Sequence, residues 1–225
     1  MKRLSTIFAL LVSFTTLTFA QEVGIRLGVN ANNIRIDGLS DQLTPATDFK
    51  AGFTGGVFAD LPLQNGFVFH PEANFTQKGF ITKYNTDYSM GVVDIPIGAS
   101  LHTNINYAEV APLMKFEQGN DMAKFYVIAG PSLGYATNGT MRARASLILD
   151  FNVYTTDIDL SNDFVNRWDL AGNVGFGGSV KAGNGKIFAD VRYQHSFTSG
   201  ITNQLLDIDF KNSGIQASAG YAYQF

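Results

Sequence analysis

The chain has no cysteine among its 225 residues, which excludes disulfides and thiolate metal sites. Its three histidines, His70, His102 and His195, sit on separate segments with no metal-ligand spacing. It has no surplus of positive charge. Sixteen Lys and Arg against 19 Asp and Glu give a formal charge of -3, which disfavours a nucleic-acid partner. It has no apolar run as long as the roughly 20 residues that a spanning helix needs. An apolar stretch without charge, 7–19, follows Met1, Lys2 and Arg3 and precedes Ala20, with Thr18 two residues before it. That is the pattern of a signal peptide cut after Ala20, and losing Lys2 and Arg3 with it takes the charge to about -5. No linker, low-complexity stretch or charge block marks a second domain. The expected division is therefore a leader over 1–20 and one domain over 21–225. If this chain enters a membrane, it must cross as strands.

What is present is a period of two. Backwards from Phe225, the apolar positions are Tyr223, Tyr221, Ala219, Ala217 and Ile215, separated by small or polar residues. Such alternation is a strand with one greasy and one wet face. It recurs over 22–30, 49–61, 66–78, 104–117, 124–135, 168–181, 186–197 and 214–225. The connections alternate in length: 31–48 long, 62–65 short, 79–103 long, 118–123 short, 136–167 long, 182–185 short and 198–212 long. The short ones carry turn residues such as Asn65-Gly66 and Gly183-Asn184. Tight turns at one end and long loops at the other are what an outer-membrane barrel requires. The expected fold is all-β: a transmembrane antiparallel up-and-down β-barrel of eight strands in the bacterial outer membrane. Segments 93–101 and 147–154 are also strand-like. They either extend existing strands beyond the membrane or add a pair, giving ten.

Alternation assigns the faces. The apolar column meets lipid, because hydrocarbon holds no water to solvate a charge. The other column, with Arg26, His70, Glu72, Lys78, Glu109, Lys115, Asp190 and Arg192, points into the lumen. In a narrow eight-stranded barrel these mixed charges are expected to form a polar plug. Of these, Arg26, Glu72, Lys78, Glu109, Lys115, Asp190 and Arg192 are the candidate network. The alternative is a narrow channel or proton path. Inward glycines, Gly175 and Gly177 among them, leave room for long cations. Tyr221, Tyr223 and Phe225 are the expected closure and interface residues.

Catalytic patterns are weak. His195-Ser196, with a carboxylate, suits acyl transfer of the lipid A deacylase kind, but neighbours on a strand face opposite ways. Asp157 with Asp159, or Asp207 with Asp209, supplies paired carboxylates of the kind a rim protease uses. Polar residues at a water-facing rim need no such role. No enzyme activity and no cofactor are expected.

Several segments together resemble a known family. They are His70-Pro71-Glu72 with Gln77-Lys78-Gly79, the run 105–116, the run 125–135, Asp190-Val191-Arg192-Tyr193, and the closing 220–225. They are similar to the small "porin family" outer-membrane barrels of Bacteroidota, called PorT-like. The resemblance implies an outer-membrane β-barrel domain and little about activity. A founding member is linked to type IX secretion, a role not carried over here. It also implies that the aromatic end, Phe225 above all, serves as part of the signal to the barrel assembly machinery. The expected partners are outer-membrane lipid, lipopolysaccharide and that machinery, for a monomer with no nucleic acid bound.

Overall fold

The computed structural model describes residues 21–37, 47–90, 93–146, 150–158, 160, 166–198, 202–203 and 208–225. The signal-peptide expectation for 1–20 lies outside them. Among the described residues all regular structure is strand: β1 (Glu22–Asp37), β2 (Thr47–Pro62), β3 (Phe67–Met90), β4 (Val93–Gly119), β5 (Ala123–Ser146), β6 (Asp150–Asp157), β7 (Trp168–Ala182), β8 (Gly185–Ser196), β9 (Thr202–Asn203) and β10 (Ile208–Gln224). Eight of them form a ring in the order β1-β2-β3-β4-β5-β7-β8-β10. It closes where β10 pairs antiparallel with β1, from Glu22↔Gln224 to Asp37↔Asp209. Closure leaves no strand edge in the wall, so backbone groups are satisfied without water.

The ring settles eight against ten. Strand β6 pairs with β5 only from Thr140↔Asp157 upward, above the point where β7 leaves β5 at Tyr135↔Trp168. It is an arm continuing the line of β7, not a further member of the wall. Strand β9 pairs only with Ile208 and Asp209. The segment 93–101 is the first part of β4.

The strands are longer than alternation alone indicates. The supposed long connection 79–103 is mostly ladder, with β3 and β4 paired from Phe67↔Phe116 to Met90↔Val93. Likewise β1 runs on to Asp37 and β5 to Ser146. The reason is physical. Beyond the membrane both faces of a strand can meet water, so the period-two signal fades while the backbone ladder continues.

The outward columns show where hydrocarbon ends. On β4 the outward residues are Phe116, Met114, Pro112, Val110 and Ala108, and then Asn106, Asn104, His102 and Ser100. On β5 they are Phe125, Val127, Ala129, Pro131, Leu133 and Tyr135, and then, past a bulge opposite Asn106, Asn138, Thr140, Arg142 and Arg144. On β3 the change comes between Phe75 and Gln77. From Phe125 to Tyr135 the strand climbs about 33 Å, or about 25 Å at a tilt of about 40°, the height of a barrel's apolar band. Aromatics rim both edges. Phe67 with Phe116 (5.0 Å between centroids) and Tyr223 with Phe225 (5.3 Å) mark the short-turn end, and Tyr135 with Trp168 (4.9 Å) the hairpin end. Gln77, Asn106 and Asn138 form a hydrogen-bonded row just above that upper edge. Gln77 donates to Asn106 at 3.2 Å, and Asn106 donates to Asn138 at 2.7 Å.

The short turns explain themselves locally. Asn65 (φ 59°) and Gly66 (φ 82°) take the left-handed backbone that joins β2 to β3, and these are the residue types that tolerate it. Between β4 and β5, the Asn120 side chain accepts from the backbone N–H groups of Met122 and Ala123.

Candidate functional site: the packed lumen

Every second residue of each wall strand points inward, and the chain places charge at many of those positions. Arg26, Glu72, Lys78, Lys115, Asp190 and Arg192 are all within 5 % of full burial, and Glu109 is close behind at 7 % exposed. An unpaired charge in such surroundings is prohibitive, so each must find an opposite charge or hydrogen-bonding partners.

The central group forms around Glu72 of β3. Arg26 Nη1 lies 2.5 Å from Glu72 Oε2, and Arg192 Nη1 lies 2.8 Å from Glu72 Oε1. Asn74 donates to the same carboxylate at 2.9 Å. Arg192 also pairs with Asp190 at 2.7 Å. Asp190 accepts from Ser218 at 2.6 Å and from the Tyr126 hydroxyl at 3.2 Å. Arg26 in turn donates to Ser218.

A second group lies toward the short turns, around Asp60 of β2. Lys115 and Lys186 reach Asp60 Oδ2 at 2.7 and 3.0 Å. Lys115 also meets Glu117 at 2.8 Å, and Lys186 meets Glu22 at 2.5 Å. His70 joins the two groups, with Nδ1 on Asp60 and Nε2 on Glu72 at 2.7 Å. The ring thus bridges two carboxylates, one on each nitrogen.

A third group sits toward the hairpins. Lys78 pairs with Asp169 at 2.9 Å and Glu109 at 3.2 Å, and its ammonium lies 5.2 Å from the centre of the Tyr107 ring. Gln194 bridges Glu109 and Ser132, both at 3.1 Å.

Of the seven residues named from sequence, the structure therefore brings Arg26, Glu72, Asp190 and Arg192 into direct contact. It links Lys115 to them through Asp60 and His70. It sets Lys78 and Glu109 apart in the third group. Sequence reasoning missed Asp60, Asp169, Glu117, Lys186 and Glu22 as network members. The signal was there, since Asp60, Asp169, Glu117 and Lys186 share the inward parity of the residues that were named. Among the described ion pairs, six Lys and Arg, counting the more exposed Lys124, together with His70 face seven carboxylates, so positive and negative groups are closely matched.

Apolar side chains fill the remaining lumen, which the sequence reading treated as polar. Phe58 and Phe188 meet edge-on at 5.2 Å beside Ala222, and Leu113, Ile128 and Tyr126 pack together. A lumen this narrow leaves small gaps that a side chain fills better than water. The glycines also serve as spacers. A Cβ on Gly175 would fall 2.7 Å from Cγ of Arg192. On Gly177 it would meet the Tyr126 ring at 2.6 Å, an aromatic and not a cation.

The catalytic candidates do not assemble. Ser196 is buried in the lumen, while His195 faces outward between Tyr193 and Phe197. Asp157 is exposed on β6. Asp159 and Asp207, and the Asp209 side chain, lie outside what is described. No group of three potential metal ligands occurs among the described residues.

Residues 19–201 match the family described as outer membrane protein beta-barrel domain. Similar solved structures are those of Neisserial surface protein A (15 % identity, 90 % of this chain and 97 % of that one, TM-score 0.40), of Ail from Yersinia pestis (15 %, 91 % and 99 %, 0.37) and of OprG from Pseudomonas aeruginosa (13 %, 92 % and 96 %, 0.39). No curated protein matches the chain.

Proposed function

The chain belongs to the outer membrane protein beta-barrel domain family, and from that premise we propose a structural or interaction role in the outer membrane, neither catalytic nor conductive. The observation that carries this reading is the lumen. Its ion pairs run without a break from Glu22 and Lys186 through Asp60, His70 and Glu72 to Asp190, and the Lys78 group stands beyond them. Opening a path for a solute means separating buried opposite charges, which costs several kcal/mol per ion.

In this reading the short turns face the periplasm and the long hairpins project outside, as in barrels of this class. The hairpins are the surface offered to a partner. Outer-membrane lipid and lipopolysaccharide surround the wall, the barrel assembly machinery inserts it, and the protein works as a monomer. Within the family, we place it with the PorT-like barrels of Bacteroidota, on the segments quoted above.

Single-channel recording in planar bilayers tests the reading. Purified, folded protein is expected to show no stable conductance. Large, steady channels would reject the plug and favour a porin-like role.

A further inference from the structure

Above the polar row of Gln77, Asn106 and Asn138, the outward face of the wall becomes basic. On β3, Lys78 points into the lumen, so Gly79 faces outward. Gly79 pairs with Asn104, and Asn104 with Thr140. The absent side chain at Gly79 leaves a gap in this row, and Lys50 of β2 occupies it. A Cβ on Gly79 would lie 3.1 Å from Lys50 Cδ and 3.2 Å from Asn104 Oδ1. The next outward rows hold His102 beside Arg142, and Ser100 beside Arg144. Met141, between Thr140 and Arg142, pairs with the buried, inward Thr103, which leaves the exposed Arg142 on the outward face.

Lys50 lies in the field of both arginines. Burial, with Arg142 and Arg144, pushes its ammonium down to about 8. Among the described residues no ion pair joins Lys50 or Arg142 to a carboxylate, although Asp157 pairs opposite Thr140 on this face and both Asp48 and Arg144 have partners of their own. The chain thus sets Lys50 and Arg142 near each other on the outward face, neither held in an ion pair.

Height identifies what they meet. Successive outward rows rise by about 5 Å at a strand tilt of about 40°. Lys50 and Arg142 therefore stand about 5–10 Å and Arg144 about 15 Å above the edge of the hydrocarbon, at headgroup level, facing lipid and not the lumen. An arginine fork suits phosphate oxygens, and a lysine adds a point charge.

We propose that Lys50 and Arg142, with Arg144 beside them, bind the phosphate of an anionic outer-leaflet lipid headgroup. The proposal rests on the outer-membrane reading above and names the lipid contact within it. The bound phosphate would pair with Lys50 and Arg142, while the acyl chains lie against the apolar column below.

The test uses folded protein in detergent, titrated with short-chain phosphatidic acid, short-chain phosphatidylcholine or inorganic phosphate, and read by native mass spectrometry. Phosphatidic acid is expected to bind in preference to the other two. Lys50→Gln and Arg142→Gln should each weaken it about fivefold, while Lys181→Gln at the short-turn end should leave it unchanged. Heat-modifiable gel mobility reports that each variant is folded. Unchanged binding in the folded Lys50→Gln/Arg142→Gln variant would overturn the proposal. Equal binding of inorganic phosphate would also overturn it, showing a free-anion site. Neither outcome touches conductance, so this proposal and the plug fail separately.

Discussion

Arg192 on β8 reaches Glu72 on β3 across the lumen at 2.8 Å, although the two stand 120 positions apart and their strands are not neighbours in the ring. The wall ladders hold adjacent strands together. This pair ties opposite walls.

Glu72 faces Arg26, Arg192 and His70 at once. Glu72→Gln keeps the shape and leaves Arg26, Arg192 and His70 with one carboxylate fewer. Breaking a buried pair from one side costs about 3–5 kcal/mol. Urea unfolding of the detergent-folded protein should show a loss of that size. Adding Arg192→Gln should cost less than the sum of the two single changes, because it removes one of the stranded charges. Strict additivity would mean that the two residues are not coupled.

The inward and outward columns were legible in the sequence because one residue of alternation fixes a face. Three things were not. The ends of β3 and β4 were hidden, because apolar alternation stops where lipid stops and pairing does not. Lys78 could not be matched to Asp169, 91 residues on, because the height at which two inward residues meet depends on the stagger of the whole barrel. Asp60 looked like one more inward acid, yet it is the point where Lys115, Lys186 and His70 converge.

Val127 and Ser132 lie on the same strand and face opposite ways, 57 % and 1 % exposed. Val127→Arg puts a charge within the apolar band and should cost about 2–4 kcal/mol. Ser132→Arg meets Gln194 and Asn173 and fails, if it fails, by crowding. Refolding yield into vesicles of increasing acyl length separates the two causes. The Val127→Arg penalty should grow with bilayer thickness, and the Ser132→Arg penalty should not.

Orientation is tested at two positions. A cysteine at Tyr154 on β6, which is exposed, should react with a membrane-impermeant maleimide on intact cells. One at Asn184, in the turn between β7 and β8, should react only after the outer membrane is opened. The opposite pattern would invert the barrel.

Phe225 separates anchoring from recognition. Its backbone N–H donates to Gln21 at 3.1 Å, just past the last β1–β10 pair, and its ring packs edge-on against Tyr223. At 80 % exposed it faces the membrane interface, where even a charged side chain costs only about 0–1 kcal/mol. Phe225→Asp keeps the backbone bond and every lumen residue, so the unfolding midpoint of the refolded protein should scarcely move. If the ring is also read by the assembly machinery, the same substitution should sharply lower the amount of folded protein in the outer membrane and leave unassembled chain in the periplasm. Phe225→Tyr keeps an amphipathic ring at the interface and should restore the level. Wild-type abundance of Phe225→Asp in the outer membrane, with folded gel mobility, would reduce Phe225 to one more rim aromatic.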